Sequence, residues 1–173
     1  MGLFRLKKPP LRSILFVCKA NVTRSPAAAI LFRREAFKAG ESWEVGSAGV
    51  DAAHGIGPQP VIANEVKRRW GISIFDHRSR PVTKSMLHRY FWVIAMERSQ
   101  RDRMVKAAPD LADRIFVLRE FGLATPPDQP DMPDPTGLEA EDFAGLFALL
   151  ETEIPRLFKT LQNKVSDLGW TGK

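Results

Sequence analysis

The chain has one cysteine, Cys18, and one tyrosine among 173 residues. A lone thiol cannot close an internal disulfide, so neither a disulfide scaffold nor a relay of several cysteines is open to it. No apolar run approaches the roughly 18 residues that a transmembrane helix needs. The opening residues Met1 to Lys8 include Arg5, Lys7 and Lys8, where a secretory signal would hold an apolar stretch. Position 6 is Leu, not the Ser or Thr expected for myristoylation. Apart from a basic leader over 1–12 and one proline-rich loop there is no linker, repeat or low-complexity tract. The expectation is a cytoplasmic protein with a free thiol and no membrane partner.

The remaining residues suit one globular unit. With 44% hydrophobic residues, the segment 13–173 can bury a core of its own, and no part of it is long or biased enough to form a second domain. The net charge is +6, with Arg5, Lys7, Lys8, Arg12, Arg33 and Arg34 as its densest positions. Aromatic residues that could stack bases are not interleaved with them, and no nucleic-acid module is recognisable. The charge therefore reads as a solvated face whose field steers anionic substrates, not as a nucleic-acid site.

Periodicity gives alternating strands and helices: strands over Ile14–Val17, Trp43–Val45, Tyr90–Ala95 and Ile115–Leu118, and helices over Pro26–Lys38, Pro60–Trp70, Ser99–Ala108 and Glu139–Gln162. Gly40 and Gly71 end the first two helices, and Pro109 stops the third. This alternation predicts an α/β fold, a doubly wound sheet of about four parallel strands with helices on both faces.

The most informative stretch is Ile14-Leu15-Phe16-Val17-Cys18-Lys19-Ala20-Asn21-Val22-Thr23-Arg24-Ser25-Pro26. An apolar strand runs into Cys18, and an arginine follows six residues later where a helix begins. Five intervening residues allow a loop whose backbone N–H groups converge on one point, which the positive end of the helix also faces. A phosphoryl group held there would sit above the sulfur, and the same field favours a thiolate. Cysteine is often a buried small hydrophobe. Here, however, Cys18 precedes polar residues and is answered by Arg24, whose planar fork suits bidentate capture of phosphate oxygens. Far downstream, Pro127-Asp128-Gln129-Pro130-Asp131-Met132-Pro133-Asp134-Pro135-Thr136-Gly137 offers three carboxyl groups on a rigid loop. Any of them could protonate a leaving oxygen.

Together these segments resemble the low-molecular-weight protein tyrosine phosphatase family, whose loop reads C-x-G-N-x-C-R-S and whose acid lies in a distant D-P segment. Cys18 to Ser25 and Asp134-Pro135 match those places, and further matches run through Ser47-Ala48-Gly49-Val50, Gly71-Ile72-Ser73, Asp76-His77-Arg78-Ser79-Arg80, Val93 to Ser99, and Leu118 to Phe121. The resemblance implies a flavodoxin-like fold and a protein-tyrosine-phosphatase without metal or cofactor. Cys18 would attack phosphorus and carry a phosphocysteine intermediate. Arg24 would bind the phosphoryl oxygens together with the loop Lys19, Ala20, Asn21, Val22, Thr23 and Ser25. Asp134 would serve as acid and then as base. His77 matches a histidine that braces the loop asparagine, here Asn21, in a left-handed conformation. Ser25 matches the hydroxyl that stabilises the thiolate. A phosphotyrosine protein or another phosphate monoester is the expected partner, inorganic phosphate the product, and a monomer or weak dimer the expected state.

The departures carry information too. Ala20 replaces the loop glycine, Thr23 its second cysteine, and Glu97 an aspartate. The aromatic walls usual for phosphotyrosine are missing from Asp51 to Gly57 and from Thr136-Gly137, whereas Val22 resembles the branched aliphatic residue of tyrosine-directed members and differs from the threonine of arginine-directed ones. Two other readings share the loop. One is an arsenate reductase coupled to an external thiol; the other is a catalytically weak phosphoprotein-binding module.

Overall fold

A computed structural model describes residues 8–135 and 143–168. Its core is a sheet of four parallel strands, β1 (Ser13–Cys18), β2 (Glu44–Gly49), β3 (Trp92–Ala95) and β4 (Ile115–Val117), in the order β2-β1-β3-β4. The helices are α1 (Arg24–Lys38), α2 (Pro60–Trp70), α3 (Lys84–Arg89), α4 (Arg98–Ala107) and α5 (Phe143–Asp167), with a 3-10 turn over Pro109–Arg114.

Every residue of β1 is buried, as a central parallel strand covered on both faces requires. Its side chains divide by the period of two. Ile14, Phe16 and Cys18 join Trp92 and Ile94 against α1, α2 and α5. Leu15 and Val17 join Val93 and Ala95 on the other face, with Leu87 of α3 and Met104 of α4. One aromatic cluster stiffens the first layer: the Phe32 ring lies 5.7 Å from Phe16 and 5.3 Å from Phe158 of α5.

The strand order places the site. From β1 the chain moves to β2 on one side and later to β3 on the other, so a crevice opens at the carboxyl ends of β1 and β3, where doubly wound sheets take ligands. Cys18 ends β1, and Glu97 follows β3 by two residues.

The elements differ from the sequence reading mainly at their ends. α2 lies where periodicity puts it, whereas α1 begins two residues earlier, at Arg24, and β2 extends to Gly49. Gly46-Ser47-Ala48-Gly49 lacks the bulky β-formers that mark a strand, but pairing with β1 continues through Cys18 and Gly49. The third predicted strand starts at Trp92 instead of Tyr90, because the preceding residues form α3, which a short polar stretch did not reveal. α5 runs on to Asp167, and residues 139–142 of the last predicted helix lie outside the described residues. No helix among the described residues is long and apolar enough to cross a membrane.

Candidate active site

Cys18 lies at the foot of a loop, Lys19 to Thr23, that ends in the first turn of α1. That turn holds no acidic residue, and Thr23 at the N-cap makes no side-chain cap, so the positive end of the helix is not consumed by the chain's own carboxylates. Cys18 is 3% exposed, and its sulfur receives two contacts: Asn21 N–H donates to it at 3.3 Å, and the Ser25 hydroxyl lies at 3.0 Å. Ser25 has one proton and two acceptors in range, Cys18 Sγ and the Ala48 carbonyl at 3.2 Å. A thiolate, as the stronger acceptor, draws that proton to itself.

Asn21 is the keystone of the loop. It has φ 56°, the one positive value outside glycine among the described residues, in the left-handed region that asparagine tolerates. Four bonds fix it there. Its amide donates to Ser25 Oγ at 2.9 Å and to Ser47 Oγ at 3.0 Å, its side-chain oxygen accepts from the Arg80 backbone N–H at 3.0 Å, and its carbonyl accepts from His77 Nε2 at 2.7 Å. That last bond requires the proton on Nε2. Burial lowers the proton affinity of His77, opposed by the bond to Asn21, and the nearby Arg80, Arg78 and Arg33 charges push the same way as burial. Gly49 packs beneath the loop: a Cβ there would stand 2.9 Å from the Asn21 nitrogen and closer still to the Lys19 carbonyl.

Arg24 is 2% exposed and held on three sides. Its Nη1 donates to Glu97 Oε1 at 2.5 Å and to the Met132 carbonyl at 3.0 Å, and its Nη2 lies 3.3 Å from Asp134 Oδ2. Glu97 is itself fixed by Gln100, whose amide donates to the same oxygen at 2.8 Å. The extra methylene of glutamate is thus accommodated without loss of the contact to arginine.

The structure separates the three aspartates. Asp131 accepts the backbone N–H of Arg98 at 2.8 Å and so caps the start of α4. Met132, buried behind it, donates its N–H to the Met96 carbonyl at 2.8 Å, and Arg119 donates to the Gln129 carbonyl at 2.5 Å. These contacts pin the loop and leave Asp134, 38% exposed, beside Arg24. Asp128 is exposed.

A further segment frames the mouth. Asp51 N–H donates to the Lys19 carbonyl at 2.9 Å and Gln59 N–H to the Val22 carbonyl at 3.2 Å, so residues 51–59 are tied at both ends to the nucleophile loop. The Thr23 hydroxyl reinforces the second tie by donating to Gln59 Oε1 at 3.1 Å. Between the ties stand His54 and Ile56, the latter 52% exposed. Sequence reasoning gave no role to Gln59, Gln100 or Ile56. Polar residues at a helix start and one apolar residue in a glycine-rich loop carry no local signal of their partners.

A family model described as low molecular weight phosphotyrosine protein phosphatase matches residues 13–167. The chain belongs to this family. Among its relatives is a protein-arginine-phosphatase of Geobacillus stearothermophilus, 36% identical over 151 residues that cover 87% of this chain and 97% of the relative. The low molecular weight protein-tyrosine-phosphatase Wzb of Escherichia coli K12 is 28% identical, covering 80% and 88% respectively. A solved structure of the YwlE arginine phosphatase, a mutant with a phosphorylated active-site serine, superposes with a TM-score of 0.74 at 25% identity, covering 89% of this chain and 95% of that one. The low molecular weight phosphatase described here is therefore a hydrolase of the cysteine-dependent class, with its single thiol at the phosphate loop.

Proposed function

We propose that the protein hydrolyses phosphotyrosine in proteins, with Cys18 as nucleophile, Arg24 as phosphoryl clamp and Asp134 as acid and base. The observation that carries this reading is the junction at Arg24, which touches the acid loop with one face and starts the helix above Cys18 with its backbone. The Cys18 thiolate attacks phosphorus in line; the S–P bond forms as the P–O bond to the leaving group breaks, and protonated Asp134 gives that oxygen its proton. Arg24 and the N–H groups of Lys19 to Ser25 hold the equatorial oxygens, so positioning and electrostatics supply most of the rate. Water then attacks the phosphocysteine, Asp134 takes its proton, and the thiolate leaves with inorganic phosphate as the product. An arriving phosphoryl dianion competes with the Asp134 carboxylate for Arg24, and its charge favours the protonated acid that the first step needs. No step calls for a metal or cofactor.

Val22 on the loop and exposed Ile56 in the tethered segment offer apolar contact to a phenyl ring in place of an aromatic wall. The likeness to a protein-arginine-phosphatase favours a second substrate, phosphoarginine in proteins. Hydrolysis of p-nitrophenyl phosphate across pH tests the chemistry: Cys18→Ser should be inactive, and Asp134→Ala slowed by about 100-fold or more. Comparing kcat/KM for a phosphotyrosine and a phosphoarginine peptide of the same sequence tests the substrate. A higher value for phosphotyrosine is expected, and the reverse order would replace it with the second reading.

A further inference from the structure

Arginines in this chain are mostly paired with a carboxylate, as Arg12 is with Glu41, Arg89 with Glu44, Arg98 with Glu120 and Arg103 with Asp51. Arg33, Arg78 and Arg80 form no ion pair among the described residues, yet all three line one cavity of about 340 Å³. The cavity lies against the outer edge of β2, between α1 and the segment Ser73 to Arg80, and Asp76 is the one acid in its wall.

Part of this arrangement protects the sheet edge. Arg33 Nη2 donates to the Val45 carbonyl at 2.5 Å and Arg80 Nε to the Ser47 carbonyl at 2.9 Å, which covers acceptors that an edge strand leaves open. Arg78 Nη1 donates to the Phe75 and His77 carbonyls at 2.8 and 2.7 Å and so braces its own turn. Capping these carbonyls needs donors, however, and not three guanidinium charges in the wall of one cavity. Each guanidinium has five N–H donors, most of which remain after these contacts. Partial desolvation of its guanidinium lowers the proton affinity of Arg33, which is otherwise exposed; Tyr90 opposes this and the Arg80 charge adds to it. The cluster carries repulsion that a bound anion would relieve.

We propose that this cleft is a second oxyanion site, in which Arg33, Arg78 and Arg80 hold a tetrahedral anion such as phosphate or sulfate, and which is linked to the catalytic loop through His77 and Ser47. Both of these line the cleft, and both bond Asn21, at 2.7 Å and 3.0 Å. Arg80 bonds the same asparagine through its backbone at 3.0 Å. Planar guanidinium forks bind such anions bidentately. The phosphate released at Cys18 belongs to this class, so the product of turnover can occupy the site whichever phosphorylated side chain the enzyme takes. Its occupation adds a negative charge beside the His77 ring and so favours the protonated imidazole against Arg33, Arg78 and Arg80, with Asp76 the other charged group facing it.

The test is a sodium sulfate titration of the protein with its catalytic loop filled by excess vanadate, followed through the ring resonances of His77, which are assigned with His77→Gln. The expected result is a saturable shift beyond that of sodium chloride at equal ionic strength. It should weaken about tenfold or more in the double variant Arg33→Gln/Arg78→Gln and be retained in Arg34→Gln, which lies outside the cleft. Circular dichroism checks the fold of each variant. Inorganic phosphate in place of sulfate should give the same shift. No saturable shift in the wild type, or a shift that survives undiminished in the double variant, would overturn the proposal.

Discussion

Two aspartates three residues apart divide the work of one loop. Asp134 stands beside Arg24, and Asp131 is spent on the first N–H of α4, which fixes the direction in which the loop leaves the sheet. With Asp134 as the proposed acid, Asp131→Ala should therefore lower kcat by about tenfold and flatten the pH dependence that the acid imposes. In an Asp134→Ala background the same change should cost almost nothing, because no acid remains to be positioned; equal losses in both backgrounds would show that Asp131 acts otherwise. His77 offers a second test at this scale. Its proton affinity is lowered from the ordinary 6.5 by burial, so as pH falls below that value the unfolded chain takes up the proton first and stability drops. His77→Gln, which keeps a donor for the Asn21 carbonyl, should show a shallower fall of Tm between pH 6.5 and about pH 5 than the wild type.

The elements show which features of the fold are local. β1 reads as a buried strand because six apolar or small residues follow one another without a break, and α2 reads to the residue because Pro60 and Gly71 bracket it. The carboxyl half of β2 is another matter. Gly46 must be small because a Cβ there would meet the Tyr90 hydroxyl at 2.5 Å, and Gly49 because the nucleophile loop lies on it. Both reasons are tertiary, and they override the strand propensity that a sequence reading weighs. The site divides in the same way. Cys18 and Arg24 are legible because their chemistry and spacing are joined in one short segment. Asp134 could be ranked above Asp131 and Asp128 only through the family motif. Gln59, Gln100 and Ile56 acquire their contacts from residues distant in the chain. Gly49→Ala should accordingly destabilise the protein by about 2 kcal/mol in denaturant unfolding and depress activity beyond what that loss explains, since the backbone it displaces is the one proposed to bind the phosphoryl group.

For the molecule as a whole, one sheet with a basic surface and one thiol sets the conditions of its chemistry. The net charge of +6 raises the encounter rate with anionic substrates. Raising ionic strength from about 0.05 M to 0.5 M should therefore lower kcat/KM several-fold with little change in kcat. Thr23 in the place of a second cysteine turns a residue that could have shielded the sulfur as a disulfide into a hydroxyl that ties the loop to Gln59. In the proposed mechanism all covalent chemistry at this site therefore falls on Cys18. The most direct test is to quench the enzyme in acid during turnover of p-nitrophenyl phosphate and locate the phosphoryl group by mass spectrometry. A phosphoryl group is expected on the peptide containing Cys18, and it should be absent from Cys18→Ala under the same conditions. Phosphorylation at another residue, or continued turnover by Cys18→Ala, would contradict the assignment of Cys18 as nucleophile.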